Sequence, residues 1–234
     1  MVEKIKSTIH FIKNVWKTLL NLCKDGYWIG RIAHSGKNIQ IQRNVAIVPQ
    51  NLYMEDFTRL QNLNNMISYH GKVIIKKYAA VGCGCVLIPG AHTPTVGVPQ
   101  FLSTLHINDV DGDLIIEEDA WVGAGSILLS HCHIGRGAVI GAGSLVAKPI
   151  PPYAVAVGSP AKVIAAKFSI EQILQHEAIL YPPEDRMSKE EIEELFEKYY
   201  KDKKTIGTST ISQEDFQKLK EKKEMLGMTD YSNL

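Results

Sequence analysis

From Ile116 onward an aliphatic residue stands at every sixth position: Ile116, Val122, Leu128, Ile134, Ile140 and Val146. A small residue follows four positions after the middle members, at Ser126, Cys132, Ala138 and Ser144, and glycine follows directly at Gly123, Gly135 and Gly141. A period of six matches neither the 3.6 of a helix nor the alternation of a simple strand. It suits a coiled β-solenoid with three short faces and about eighteen residues per coil. Each aliphatic then points inward and stacks on its equivalent in the next coil, about 4.8 Å away. The small residue fits the crowded inner corner, and glycine serves where the backbone turns sharply or needs a positive φ. Twelve of the 18 glycines fall between Gly71 and Gly143, which this architecture accounts for.

The same frame runs upstream through Ile39, Val45, Asn51, Phe57, Leu63, Tyr69, Ile75, Val81 and Leu87, with Asn51 breaking it. It slips between Leu87 and Ile116, so residues 91–113 are expected to form an inserted loop. A long loop leaving a regular scaffold is a favoured place for function.

Charge divides the chain in three. Residues 1–37 carry a net +5, residues 38–168 a net +1 and residues 169–234 a net −5, for a total of +1. The predicted organisation is an N-terminal helix and cap (1–37), a β-solenoid domain (38–168) and a C-terminal helical extension (169–234). Ile5, Ile9, Ile12, Trp16, Leu19 and Cys23 mark an amphipathic helix over 3–24, read as a cap on the solenoid or as a peripheral membrane contact. Ser169-Ile-Glu-Gln172, Ser188-Lys-Glu-Glu191 and Ser212-Gln-Glu-Asp215 resemble helix capping boxes and predict three C-terminal helices, the second over 189–201. The near-neutral total gives no reason to expect a nucleic-acid partner. Lys13 and Lys17 interrupt any apolar run near the start, and the four cysteines show no zinc-ribbon spacing. A cytoplasmic protein with reduced thiols is expected.

The segment IIEEDAWVGAGSILLSHCHIGRGAVIGAGSLVAKPIPPYAVAVGSPAKVI, residues 115–164, strongly resembles the C-terminal coils of hexapeptide-repeat acyltransferases. The group it resembles is the sugar and xenobiotic O-acetyltransferases: maltose, galactoside and capsular or lipopolysaccharide acetyltransferases. The resemblance covers about 38–168 and is most specific at Trp121-Val-Gly and from Gly141 to Lys162. It implies a mainly β fold, a left-handed parallel β-helix, and a homotrimer with active sites between subunits. It also implies acetyl-CoA as cosubstrate, with no metal, and a small-molecule or saccharide acceptor.

Carried over residue by residue, the resemblance makes His92, in Gly90-Ala91-His92-Thr93-Pro94, the general base for direct acetyl transfer to a hydroxyl. Asp111, Asp113, Glu117 and Glu118, close in sequence, are candidates to orient it, and a backbone carbonyl would serve as well. Trp121, Asn62 and Asn64 match acceptor-contacting positions. Gly123, Ala124, Gly141 and Ala142 match positions along the pantetheine arm, Pro160 packs near adenine, and Lys162 and Lys148 are candidates for the nucleotide phosphates. A second family base is Ala165 here, which leaves the phosphate grip either weaker or moved to Lys167. Other readings are N-acetylation of an amino sugar, perhaps nucleotide-linked, a non-enzymatic assembly subunit, and a γ-type carbonic anhydrase drawing on His131 and His133.

Overall fold

A computed structural model describes residues 28–68 and 70–231. The predicted helix over 3–24 lies outside the described residues. The chain from His34 to Ala166 is built mostly of strands two or three residues long; apart from a two-stranded ribbon in the excursion they fall into three parallel sheets of five, seven and four strands, the seven-stranded one ending in an antiparallel hairpin of longer strands. Successive strands visit the sheets in rotation. Leu114–Ile116 lies in the first, Trp121–Val122 in the second and Ile127–Leu128 in the third, and His133–Ile134 returns to the first.

Register confirms the period. Ile116 pairs with Ile134, Val122 with Ile140 and Leu128 with Val146, each eighteen positions on. All six are fully buried, as are Ser126, Cys132, Ala138 and Ser144 at the corners. Burying such aliphatic side chains contributes ~1.5–3 kcal/mol each, before the entropy of ordering the chain is subtracted. Across the predicted insertion the offset grows: Val122 pairs with Val81 and Leu128 with Leu87, 41 positions earlier. The additional residues are the excursion at 91–113.

Upstream, the predicted frame is corrected. The inward residues there are Met54, Leu60 and Met66, which pair with Ile75, Val81 and Leu87. Phe57 and Leu63 sit instead in left-handed turns at φ 58° and 61°, with Leu63 60% exposed. The cause is a longer link between Met66 and Ile75, nine positions in place of six, which moves the frame by half a repeat. Tyr69 lies outside the described residues.

Three C-terminal helices follow, Ile170–Leu180, Lys189–Leu195 and Gln213–Leu226. The second continues into a π-helical turn, Phe196–Tyr200. Ser169 and Ser188 form full capping boxes with Gln172 and Glu191, while Ser212 accepts the Asp215 N–H. The first helix is fastened to the coil by charge. Glu177, 1% exposed, receives hydrogen bonds from the Tyr153 hydroxyl, Arg136 Nη1 and the Met187 N–H. Asp119, on the coil, holds Lys167 Nζ at 2.7 Å and His176 Nε2 at 3.0 Å. Desolvation pushes the Asp119 carboxyl up, but the His176 hydrogen bond and the Lys167 ammonium hold it below its ordinary range.

Two predictions follow from these contacts. A Cβ on Gly123 would stand 2.5 Å from the Ala142 nitrogen, whereas Gly84, at φ +69°, has open space around it. Gly123→Ala is expected to cost about 3 kcal/mol by forcing two coils apart, and Gly84→Ala about 1 kcal/mol from backbone strain alone; urea unfolding midpoints measure both. Asp119 titrates below its unfolded value, so its stabilisation is present above the ordinary carboxylate pKa of ~3.9 and is lost as pH falls through the folded value. The melting temperature of Asp119→Asn should therefore lie below wild type at pH 7, and the difference should shrink on acidification.

Candidate active site

The excursion leaves the coil after Val86–Leu87 on a short antiparallel ribbon. Gly90 pairs with Asp111 and Ala91 with Val110. The next residues outward on the two strands are His92 and Asp109, so the ladder itself sets them side by side. His92 Nδ1 lies 2.8 Å from Asp109 Oδ2. The same oxygen receives His106 Nδ1 at 2.9 Å, and the two imidazole rings stand 5.6 Å apart. His106 occupies the left-handed position, φ 53°, that ends the 3-10 turn Gln100–Leu105. Asn108, at φ 56°, donates from Nδ2 to Thr95 Oγ1 and ties the two limbs of the loop together.

Desolvation raises the Asp109 carboxyl, but the hydrogen bonds from His106 and His92 outweigh it and hold the group below the usual carboxylate range. An ionised carboxylate only accepts, so both Nδ1 atoms must carry the protons. In the neutral imidazole of His92 this places the lone pair on Nε2. Its side chain is 52% exposed, against 17% for Asp109. The group lines a cavity of about 290 Å³ whose apolar side is Ile67 and Ile88.

The acids expected to orient His92 are employed elsewhere. Asp111 accepts from the Gly71 N–H and Asp113 from the Lys72 N–H, fastening the returning strand to the coil below. Glu117 pairs with Lys76 and His133, and Glu118 with Arg136. Asp109 and His106 escaped the sequence reading. The signal for them was the spacing His106-Ile-Asn-Asp109 inside the same insertion, legible only once 90–91 and 110–111 are paired.

The other predicted residues gather at a different corner, between the seven- and four-stranded sheets. Gly123–Ala124 stacks directly beneath Gly141–Ala142, and the hairpin formed by Ala154–Val157 and Lys162–Ala166 closes over them. Within it the Gly158 N–H donates to Ser144 Oγ and the Ala161 N–H to the Leu145 carbonyl. Pro160, after a cis peptide, and Lys162 are both exposed on this hairpin, whereas Lys148, also exposed, lies at the opposite edge of the four-stranded sheet, between Val146 and Ile150. Trp121, 40% exposed, points outward on the adjoining strand. Asn62 lies in an exposed turn on the same corner, its N–H donating to Gln42 Oε1. Asn64 does not face a cavity: it is 1% exposed, donates to the Gln61 and Gly82 carbonyls and accepts from the Cys85 N–H. Lys167 is likewise committed, to Asp119, and Ala165 is buried in the hairpin.

His131 and His133 do not assemble a metal ligand set. His133 Nε2 meets Glu117 at 2.6 Å, and the His131 ring packs on Gly112. Burial pushes the Cys132 thiol up to about 11, away from reactivity, and the thiol donates to the Val146 carbonyl.

Comparison with known proteins adds the following. Residues 113–148 match the family model described as bacterial transferase hexapeptide, six repeats. A chloramphenicol acetyltransferase of Morganella morganii is 45% identical over 75 residues, 32% of this chain and 36% of that protein. The chain thus spans about a third of the length of the chloramphenicol acetyltransferases it matches. Among solved structures, a maltose O-acetyltransferase from Clostridium difficile 630 has a TM-score of 0.51 at 25% identity, covering 61% of this chain and 73% of that one. A hexapeptide-repeat acetyltransferase from Vibrio cholerae, complexed with acetyl coenzyme A, has a TM-score of 0.54 at 17% identity, covering 61% and 75%, and shows the shared fold. Residues 113–148 thus carry the bacterial transferase hexapeptide repeat, and the chain shares its fold with hexapeptide-repeat acetyltransferases of solved structure.

Proposed function

We propose that the protein is an acetyl-CoA-dependent O-acetyltransferase acting on a sugar or polysaccharide hydroxyl, with His92 as general base. The observation that carries the reading is the His92–Asp109 pair. Asp109 fixes the tautomer, and Nε2 takes the proton as the acceptor oxygen attacks the thioester carbonyl. The tetrahedral oxyanion collapses with loss of the coenzyme A thiolate, which recovers the proton from the imidazolium. Asp109 offsets the charge on the ring between the two steps.

Coenzyme A is assigned to the corner of Gly123, Ala124, Gly141 and Ala142. Exposed Lys162 on the hairpin beside it supplies a cation for phosphate. Within one chain this corner and His92 are separated by the four-stranded sheet. A left-handed β-helical homotrimer, in which His92 of one subunit faces the coenzyme corner of the next, resolves that separation. The loop tip supports the assembly: Val96 and Phe101 are almost fully exposed, and large apolar side chains in such a position favour a protein neighbour.

Steady-state acetyl transfer tests the base. His92→Ala is expected to lower kcat ~10²–10⁴-fold with little change in the KM for acetyl-CoA. Asp109→Asn, which no longer dictates the tautomer, should fall in the same range. Undiminished kcat in His92→Ala rejects the assignment.

A further inference from the structure

The group around Asp109 holds more than a base and its partner. A second imidazole, His106, is bound to the same carboxylate oxygen as His92. General-base catalysis through His92 does not require it. One ligand atom from each of His92, His106 and Asp109 lies within 4.8 Å of the others, and among the described residues this is the one such cluster of three. The cluster opens onto the cavity, with His92 half exposed.

We infer that His92, His106 and Asp109 form an inhibitory site for a zinc-like transition-metal ion. Two imidazole nitrogens and a carboxylate oxygen match the donor preference of zinc, not of magnesium or calcium, which favour oxygen. In a tetrahedral zinc site with bonds of about 2.0–2.1 Å, ligand atoms stand about 3.3 Å apart. The two Nδ1–Oδ2 separations here are 2.8 and 2.9 Å. Spreading each by about half an ångström, and bringing the two imidazole nitrogens, which lie within 4.8 Å of each other, to the same spacing, admits the ion; side chains on an exposed loop can make these adjustments. The cavity side provides the fourth position for water.

The chemical consequence falls on the tautomer. A metal bound at His92 Nδ1 takes the electron pair of that nitrogen, so its proton moves to Nε2. The ring stays neutral and no net proton is released. Nε2 then carries the proton and has no lone pair for the acceptor hydroxyl. The ion thus inhibits by reversing the tautomer that Asp109 sets. The inhibitory consequence rests on the proposed role of His92, while the binding itself does not.

Zinc chloride titrated calorimetrically into the metal-free protein, without acetyl donor, tests the site. One zinc per chain is expected, with no heat from magnesium or calcium. His106→Asn, which suits the left-handed backbone, and Asp109→Asn should each weaken zinc binding at least about tenfold. Circular dichroism melts establish that both variants fold. Zinc binding that persists unchanged in the two folded variants, as it would at Cys83, overturns the proposal, as does an absence of zinc binding in wild type. In a second arm, zinc should abolish wild-type acetyl transfer and chelation should restore it. Zinc binding at this cluster in a protein without transferase activity would reject the proposed function and leave the metal site standing. An active protein whose transfer is unchanged at saturating zinc would overturn the inhibitory role.

Discussion

A column of side chains hydrogen-bonded to backbone runs up one inner corner of the coil, and the spacing of everything outside depends on it. Asn64 donates to the Gln61 and Gly82 carbonyls, Cys85 to Gly82 and Gly123, Ser126 to Gly123 and Gly141, and Ser144 to Gly141. Asn64, Cys85 and Ser126 each close their own turn and reach for the next coil, and Ser144 closes its own turn while accepting from the Gly158 N–H. Carbonyls at a sharp corner point away from the sheet ladders, and buried carbonyls without partners are costly. A small polar group four residues after each inward aliphatic meets that need. Gly82, Gly123 and Gly141 complete the device, because a Cβ at any of them would collide with the coil above. The column therefore fixes both the distance between coils and the residues that can occupy the corner. The same corner presents the backbone proposed to receive coenzyme A.

The candidate base is positioned by a different means. Its loop is held not by the solenoid register but by a two-residue antiparallel ribbon and by Asp111 and Asp113, which bind the N–H groups of Gly71 and Lys72. The scaffold thus supplies a rigid root, and the ladder carries that rigidity outward to His92 and Asp109. Beyond them the loop is polar-linked and apolar at its tip, suited to meet another surface. Rigid chemistry at the root and an exposed contact at the tip are what a site shared between subunits needs.

Much of this was legible in the sequence where the period was unbroken. From Ile116 to Val146 each inward residue and each corner residue could be named, because one spacing governs both. The upstream coils were misread, since the longer link before Ile75 moves the frame and leaves Phe57 and Leu63 in turns. His92 was singled out through resemblance. Asp109 and His106 were not, because their relation to His92 is a pairing across a ribbon and leaves no mark in a linear period. Asn64 was mistaken for an acceptor contact for a related reason. A buried corner amide and an exposed binding amide look alike in sequence, and only the column of hydrogen bonds separates them.

The central claim is that His92, held by Asp109, activates a hydroxyl. The most direct measurement is mass-spectrometric identification of the product formed from isotopically labelled acetyl-CoA in the presence of neutral sugars and amino sugars together. The account predicts a labelled O-acetyl ester, cleaved by hydroxylamine, that disappears when His92 is replaced. An N-acetyl amide formed at the same rate with and without His92 would contradict it.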